Sequence, residues 1–223
     1  MFKFLGRFVM RHSLSVLAVV SFVLYKADKK RREKSYLNPR SYALKKFAEK
    51  NGFGFALYDF SIYKKDFANL PFFTKYNRRL FTNILSKEGV TAFDFIHPLS
   101  VKNDVSAQTV AVVEMRDSFD FSLGIYPSGF LRKYVLSHKD MEMFENKTFV
   151  KKFHLTRENI DDFKLKKIIN LDVEEFFAQN PGWTVVIYGK YVIILKEHKL
   201  IKPVSMGIFI DKAFYIAGML DLV

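Results

Sequence analysis

The chain of 223 residues has no cysteine, which removes disulfides, thiolate zinc sites and cysteine nucleophiles and leaves the redox compartment open. Glycine is scarce, at ten copies, and no GxGxxG or Walker pattern occurs, so neither a dinucleotide fingerprint nor a phosphate-cradling loop is expected. The histidines His12, His97, His138, His154 and His198 never stand three or four residues apart, which excludes a local metal motif such as His-Glu-x-x-His. Ser128 in "YPSGF" lacks the spacing of a nucleophile elbow. No repeat of 20–50 residues and no low-complexity tract beyond Lys26 to Lys34 is present. Acidic residues are also nearly missing from the first 50 positions, where Asp28, Glu33 and Glu49 face 13 Lys and Arg.

That last deficit locates the charge. The chain carries 36 Lys and Arg against 23 Asp and Glu, a formal +13, and beyond residue 50 the balance falls to 23 against 20. A nucleic-acid binder spreads its basic residues over a folded face. Here most of the excess adjoins an apolar segment, which favours lipid or membrane topology over nucleic acid. The hydrophobic fraction of 49% is enough for a real core. Phenylalanine, at 25 copies in a Lys-, Ile- and Asn-rich chain, fits base composition of the genome as well as any role.

The segment "SLSVLAVVSFVLYKADKKRREK", Ser13 to Lys34, joins the apolar block to the basic cluster. Its flanks lack the small residues of a signal-peptide cleavage site, and the block has no charged face to keep wet as an in-plane helix would. Leu5 to Tyr25 as a helix would measure about 31 Å at 1.5 Å per residue, close to the ~30 Å hydrocarbon core. The sequence therefore predicts a single-pass N-terminal transmembrane helix, with an export signal, an organellar presequence and a buried core helix as alternatives. Lys26, Lys29, Lys30, Arg31, Arg32 and Lys34 follow the block, whereas Lys3, Arg7 and Arg11 precede it. The positive-inside rule then puts the remainder on the cytoplasmic side of the inner membrane, with the six residues acting as a topology signal or as contacts to anionic lipid headgroups. The expected organisation is an anchor and juxtamembrane segment over 1–34 and a cytoplasmic α+β domain over 35–223.

Within the domain, Asn38 to Asn51 has helical spacing and Gly52 terminates it. Phe53 to Phe60 reads as a short strand, and "SIYKKDFANLPFFTKYN" as a connection broken by Pro71. Arg79 to Leu85, Val90 to Ile96, Gln108 to Met115 and Phe119 to Ile125 read as an antiparallel meander. "KTFVKKFHL" alternates like a strand, and "TRENIDDFKLKKIIN" and "LDVEEFFAQN" read as helices, the second capped by Asp172 with Glu175. "WTVVIYGKYVIILK" is the clearest hairpin, turning at Gly189 and Lys190, with arms apolar on nearly every residue as in strands buried on both faces. A packed helix after Pro203 closes the chain. The fold class is α+β: an antiparallel meander plus a C-terminal hairpin packed with helices, preceded by the transmembrane helix.

This order of pieces, "FAEKNGFGF", "NRRLFTNILS", "VTAFDF", "QTVAVVEM", "FDFSLGIYPSG", "KKFHLT" and "PGWTVVIYGKYVIILKEHKLIKP", resembles a family of uncharacterised bacterial membrane-associated proteins. The resemblance spans Tyr42 to Leu220, and the loop Pro98 to Ala107 departs from it by lacking the usual Gly and Arg. It implies an N-terminal membrane segment followed by an α+β domain, and it carries no activity, cofactor or catalytic residue.

Chemistry in the domain is sparse. The acidic pairs Asp161/Asp162 and Glu174/Glu175 read as helix-capping groups, since neighbours on a helix do not face one another. The basic and aromatic residues around Lys64, Lys65, Lys75, Arg78 and Arg79 could stack bases, touch headgroups or face water. The resulting reading is a membrane-anchored, non-catalytic adaptor or assembly subunit that needs no cofactor or metal and binds an unidentified protein partner. The alternative is a membrane-bound enzyme whose site is assembled from Asp117, Asp120 and His154.

Overall fold

Among the described residues the apolar alternation is realised as eight strands of one sheet, every neighbouring pair antiparallel, in the order β1-β2-β3-β4-β8-β7-β5-β6. The strands are β1 (Gly54–Ala56), β2 (Leu80–Lys87), β3 (Val90–Pro98), β4 (Val105–Glu114), β5 (Ser122–Pro127), β6 (Phe153–Glu158), β7 (Trp183–Tyr188) and β8 (Tyr191–Lys196). The helices are α1 (Pro39–Asn51), α2 (Pro71–Thr74), α3 (Lys147–Lys152), α4 (Asp162–Ile168), α5 (Leu171–Gln179) and α6 (Met206–Met219). The computed structural model describes residues 38–76, 78–98, 105–128, 141–196 and 199–220. Its contacts divide the chain into units over 1–44 and 45–223, and all eight strands belong to the second.

Two features depart from the sequence-based expectation. First, the transmembrane helix finds no counterpart among the described residues, where no helix is long and apolar enough to cross a membrane. Leu5 to Tyr25, on which that expectation fell, lies outside the described residues, as does the basic segment Lys26 to Lys34. Second, the meander ends at β4. The three-residue spacer after Met115 looks like a hairpin turn, yet β5 lies three places away, because the β7–β8 hairpin occupies the gap. The Met115–Phe121 stretch crosses the tip of that hairpin, where Met115 N donates to Lys190 O (2.8 Å) and Phe119 N to Gly189 O (3.1 Å). An ion pair from Lys190 to Glu114 (2.6 Å) closes the crossing. The cause is hydrophobic: arms apolar on both faces gain most where both faces are covered, in the middle of the sheet.

One sheet face carries Phe81, Phe93, Phe95, Val110, Val112, Ile193 and Leu195, and the connection after β1 packs over it with Ile62, Phe67, Phe72 and Phe73. Phe73 sits at the centre, its ring centroid 5.1 Å from Phe95, 5.5 Å from Phe81 and 5.8 Å from Phe93. That connection folds into two short 3-10 turns and α2, with Pro71 at the helix start where its missing N–H costs nothing. Much of the phenylalanine content is therefore core. On the opposite face α6 buries Met206, Phe209, Ile210, Ala213, Ile216 and Ala217, and Phe209 stacks on Trp183 at 5.9 Å. On the same face Phe149 of α3, Phe153 and Phe177 of α5 form a second aromatic cluster, with centroids 5.3–6.3 Å apart.

Local capping corrects two further expectations. The first part of "KTFVKKFHL" is helical, because Asn146 Oδ1 accepts from both Thr148 N and Phe149 N (3.0 Å each), and only Phe153 onward is strand. The cap of α5 is Asn170, accepting from Val173 N at 3.1 Å, in place of Asp172.

Candidate functional site

The carboxylates and histidine that a catalytic reading requires are not brought together. Asp117 and Asp120 lie exposed before β5, and Asp120 pairs with Lys164 at 2.8 Å, which holds its carboxyl below the usual range. His154 stands opposite Tyr126, toward the other end of β5, whereas Ser122 opposes Glu158. Four strand residues, about 13 Å at 3.3 Å each, separate those two positions, so general acid–base work by this trio has no geometric basis. Among the described residues no group of three or more His, Asp or Glu side chains could hold a metal ion. Asp161 caps α4 as expected, accepting from Lys164 N at 2.7 Å, and Asp162 pairs with Arg157. Glu174 does more than favour its helix end: it is buried and accepts from Asn146 N at 2.6 Å, tying α5 to the start of α3.

The basic–aromatic stretch is also resolved into parts. Phe67, Phe72 and Phe73 are buried and cannot stack on bases. Lys64 and Lys65 line an open cleft of about 670 Å³ together with Asp66, Lys87, Glu88 and Glu114, where the charges are mixed. Arg78 and Arg79 border a second cleft of about 540 Å³ beside His97, whose ring stacks on Tyr76 at 3.8 Å. Lys75 lies over the rings of Phe72 (4.9 Å) and Tyr76 (5.1 Å), and burial pushes its ammonium pKa down.

The most apolar of these concavities lies between α2 and the face of β5, β6 and β7, about 340 Å³, lined by Leu70, Phe72, Tyr126, Thr156, Val186 and Tyr188. Its floor depends on Gly124. A methyl group there would overlap the Tyr126 ring and Thr156 Oγ1, so the missing side chain lets Tyr126 lie down across the strands. Burial raises the Tyr126 pKa, opposed by its hydrogen bond to Thr156. The nearby phenol of Tyr126 reinforces the effect of burial on Tyr76, which is pushed up to about 12. Lys75 and Glu158 stand at the rim, one of each sign. Its walls are mostly apolar, with the polar groups Lys75, Ser122, Thr156 and Glu158 set among them.

No protein-family model and no curated sequence matches the chain. Among solved structures it is similar to the crystal structure of the mycobacterial trehalose monomycolate transport factor A, TtfA. The TM-score is 0.56 at 10% identity, covering 84% of this chain and 99% of that one. The two share a fold. That likeness leaves the α+β class intact, with the single sheet described above in place of a meander and a separate hairpin.

Sequence reasoning missed the groove, since its walls come from α2, β5, β6 and β7, spread over more than 100 residues of the chain. The one local signal was Gly124 inside an otherwise strand-like run, a mark of close approach by another group.

Proposed function

We propose that this protein is a non-catalytic adaptor or subunit of a membrane-associated assembly, and that it binds its protein partner in the apolar groove beside α2. The observation that carries this reading is the groove itself: Tyr126, Phe72 and Val186 line it, and Asp117, Asp120 and His154 are not among its lining residues. An apolar trough rimmed by Lys75 and Glu158 suits an extended or helical partner segment with two or three apolar anchors and a charge of either sign at its ends. The fold shared with a mycobacterial transport factor is compatible with such a role. Membrane association at the cytoplasmic face rests on Lys26, Lys29, Lys30, Arg31, Arg32 and Lys34, each contributing on the order of 1 kcal/mol near an anionic leaflet.

The test is affinity capture of the full chain from gently solubilised membranes, alongside Val186→Glu and Tyr188→Glu variants. Val186 is half-buried and Tyr188 exposed, so the second variant leaves the fold intact. The expected result is a defined co-purifying protein that both variants lose. Capture that is unchanged in both removes the groove from the account.

A further inference from the structure

Helix α6 carries apolar residues on its outer as well as its inner face, with Asp211 and Lys212 as its charged residues. Only its inner face is covered: Met206, Phe209, Ile210, Ala213, Ile216 and Ala217 are buried. On the outer face Val204, in the turn that leads into the helix, is 89% exposed, Ile208 73% and Tyr215 56%. With Asp211, Lys212, Gly218 and Met219 these residues recur every three or four positions and form one stripe along the helix.

The order of residues in that stripe is self-complementary. A two-fold axis through the midpoint between Asp211 and Lys212 would set each residue against the one equally far beyond the midpoint on a second, antiparallel helix. Asp211 then meets Lys212, Ile208 meets Tyr215, Val204 meets Met219, and the small Ser205 meets Gly218, where nothing stands within 4 Å of an added methyl group. Both charged contacts are attractive and every apolar one is matched, which is the requirement of an isologous interface. Lys212 is already held on the outer face, its Nζ 4.7 Å from the Phe176 ring centroid and 5.8 Å from that of Tyr215. Asp211 is exposed and makes no ion pair among the described residues.

We infer that a second copy of this chain docks on the outer face of α6 in antiparallel register, with Asp211 and Lys212 at the two-fold axis. One helix pair buries less than the ~800 Å² per partner of a standard interface, so the dimer is weak and concentration-dependent. It leaves the groove beside α2 free, and its failure would not touch the groove reading.

The experiment is sedimentation equilibrium of the full chain with Asp211→Lys and Lys212→Asp, each alone, combined in one chain, and mixed as two separate proteins. Each single variant turns two symmetric attractions into repulsions and should weaken self-association on the order of tenfold. The double variant and the equimolar mixture of the two singles should both recover it, because opposite charges face each other again. Single variants that associate like the wild type overturn the proposal, as does a double variant or mixture that stays monomeric. A wild type that is monomeric at every concentration overturns it too, including one that instead floats with phosphatidylglycerol vesicles or holds a different protein on the Ile208 face.

Discussion

Gly124 shows how one missing side chain shapes a surface. Because the Tyr126 ring and Thr156 Oγ1 occupy the space of its would-be methyl group, Gly124→Ala must lift the ring or shift the strand. Overpacking of this kind costs about 1–3 kcal/mol, and chemical denaturation should read a loss in that range; an unchanged midpoint would mean that Tyr126 does not lie across Gly124. Tyr76 makes a second point at this scale. Its folded pKa of about 12 lies above the usual value of about 10 because burial, and then the Tyr126 phenol, disfavour the phenolate. The folded state thus holds this proton more tightly, so its contribution is fully present below about pH 10 and is lost as pH rises through about 12. Between those limits the wild type should lose stability more steeply than Tyr76→Phe, and parallel profiles would refute the assignment. Asp94 illustrates a buried polar group that is satisfied: Asn83 Nδ2 (2.8 Å) and Thr109 Oγ1 (2.9 Å) both donate to it, and Ile201 N donates to Thr109 Oγ1.

At the scale of elements, the aromatic cover over the sheet is where the structure adds most to the sequence. "SIYKKDFANLPFFTKYN" has no strand or long-helix period, so periodicity could only call it a connection, although Phe67, Phe72 and Phe73 hold much of one core. Phe73→Ala should cost about 3–5 kcal/mol, as for other fully buried phenylalanines, and a urea titration showing under 1 kcal/mol would move the core elsewhere. The strands were legible because alternation and turn residues are local signals: all four meander candidates and both arms of the Gly189–Lys190 hairpin are strands. Lys147–Lys152 was not, since its alternating residues fit a strand equally well and the Asn146 cap decides in favour of helix. The outer stripe of α6 could be read from spacing, yet its exposure could not, because that depends on what packs against the helix.

For the whole molecule, the order of strands was hidden from a linear reading. Short connectors favour sequential neighbours, and the Met115–Phe121 crossing breaks that rule through contacts with a hairpin formed 70 residues later. The doubly apolar arms of that hairpin held the clue to its central place. Once the sheet closes around it, β5 and β6 extend beyond α2, and the strip of sheet face left there is the groove. On the proposed function, the apolar trough built from these distant elements is the surface presented to a protein partner. Photo-crosslinking in intact cells from a reactive residue placed at Tyr188, compared with one at Glu142 outside the groove, tests this most directly. The account predicts a discrete adduct with one partner from position 188 and none from 142. Equal labelling from both positions, or none from 188, would contradict it.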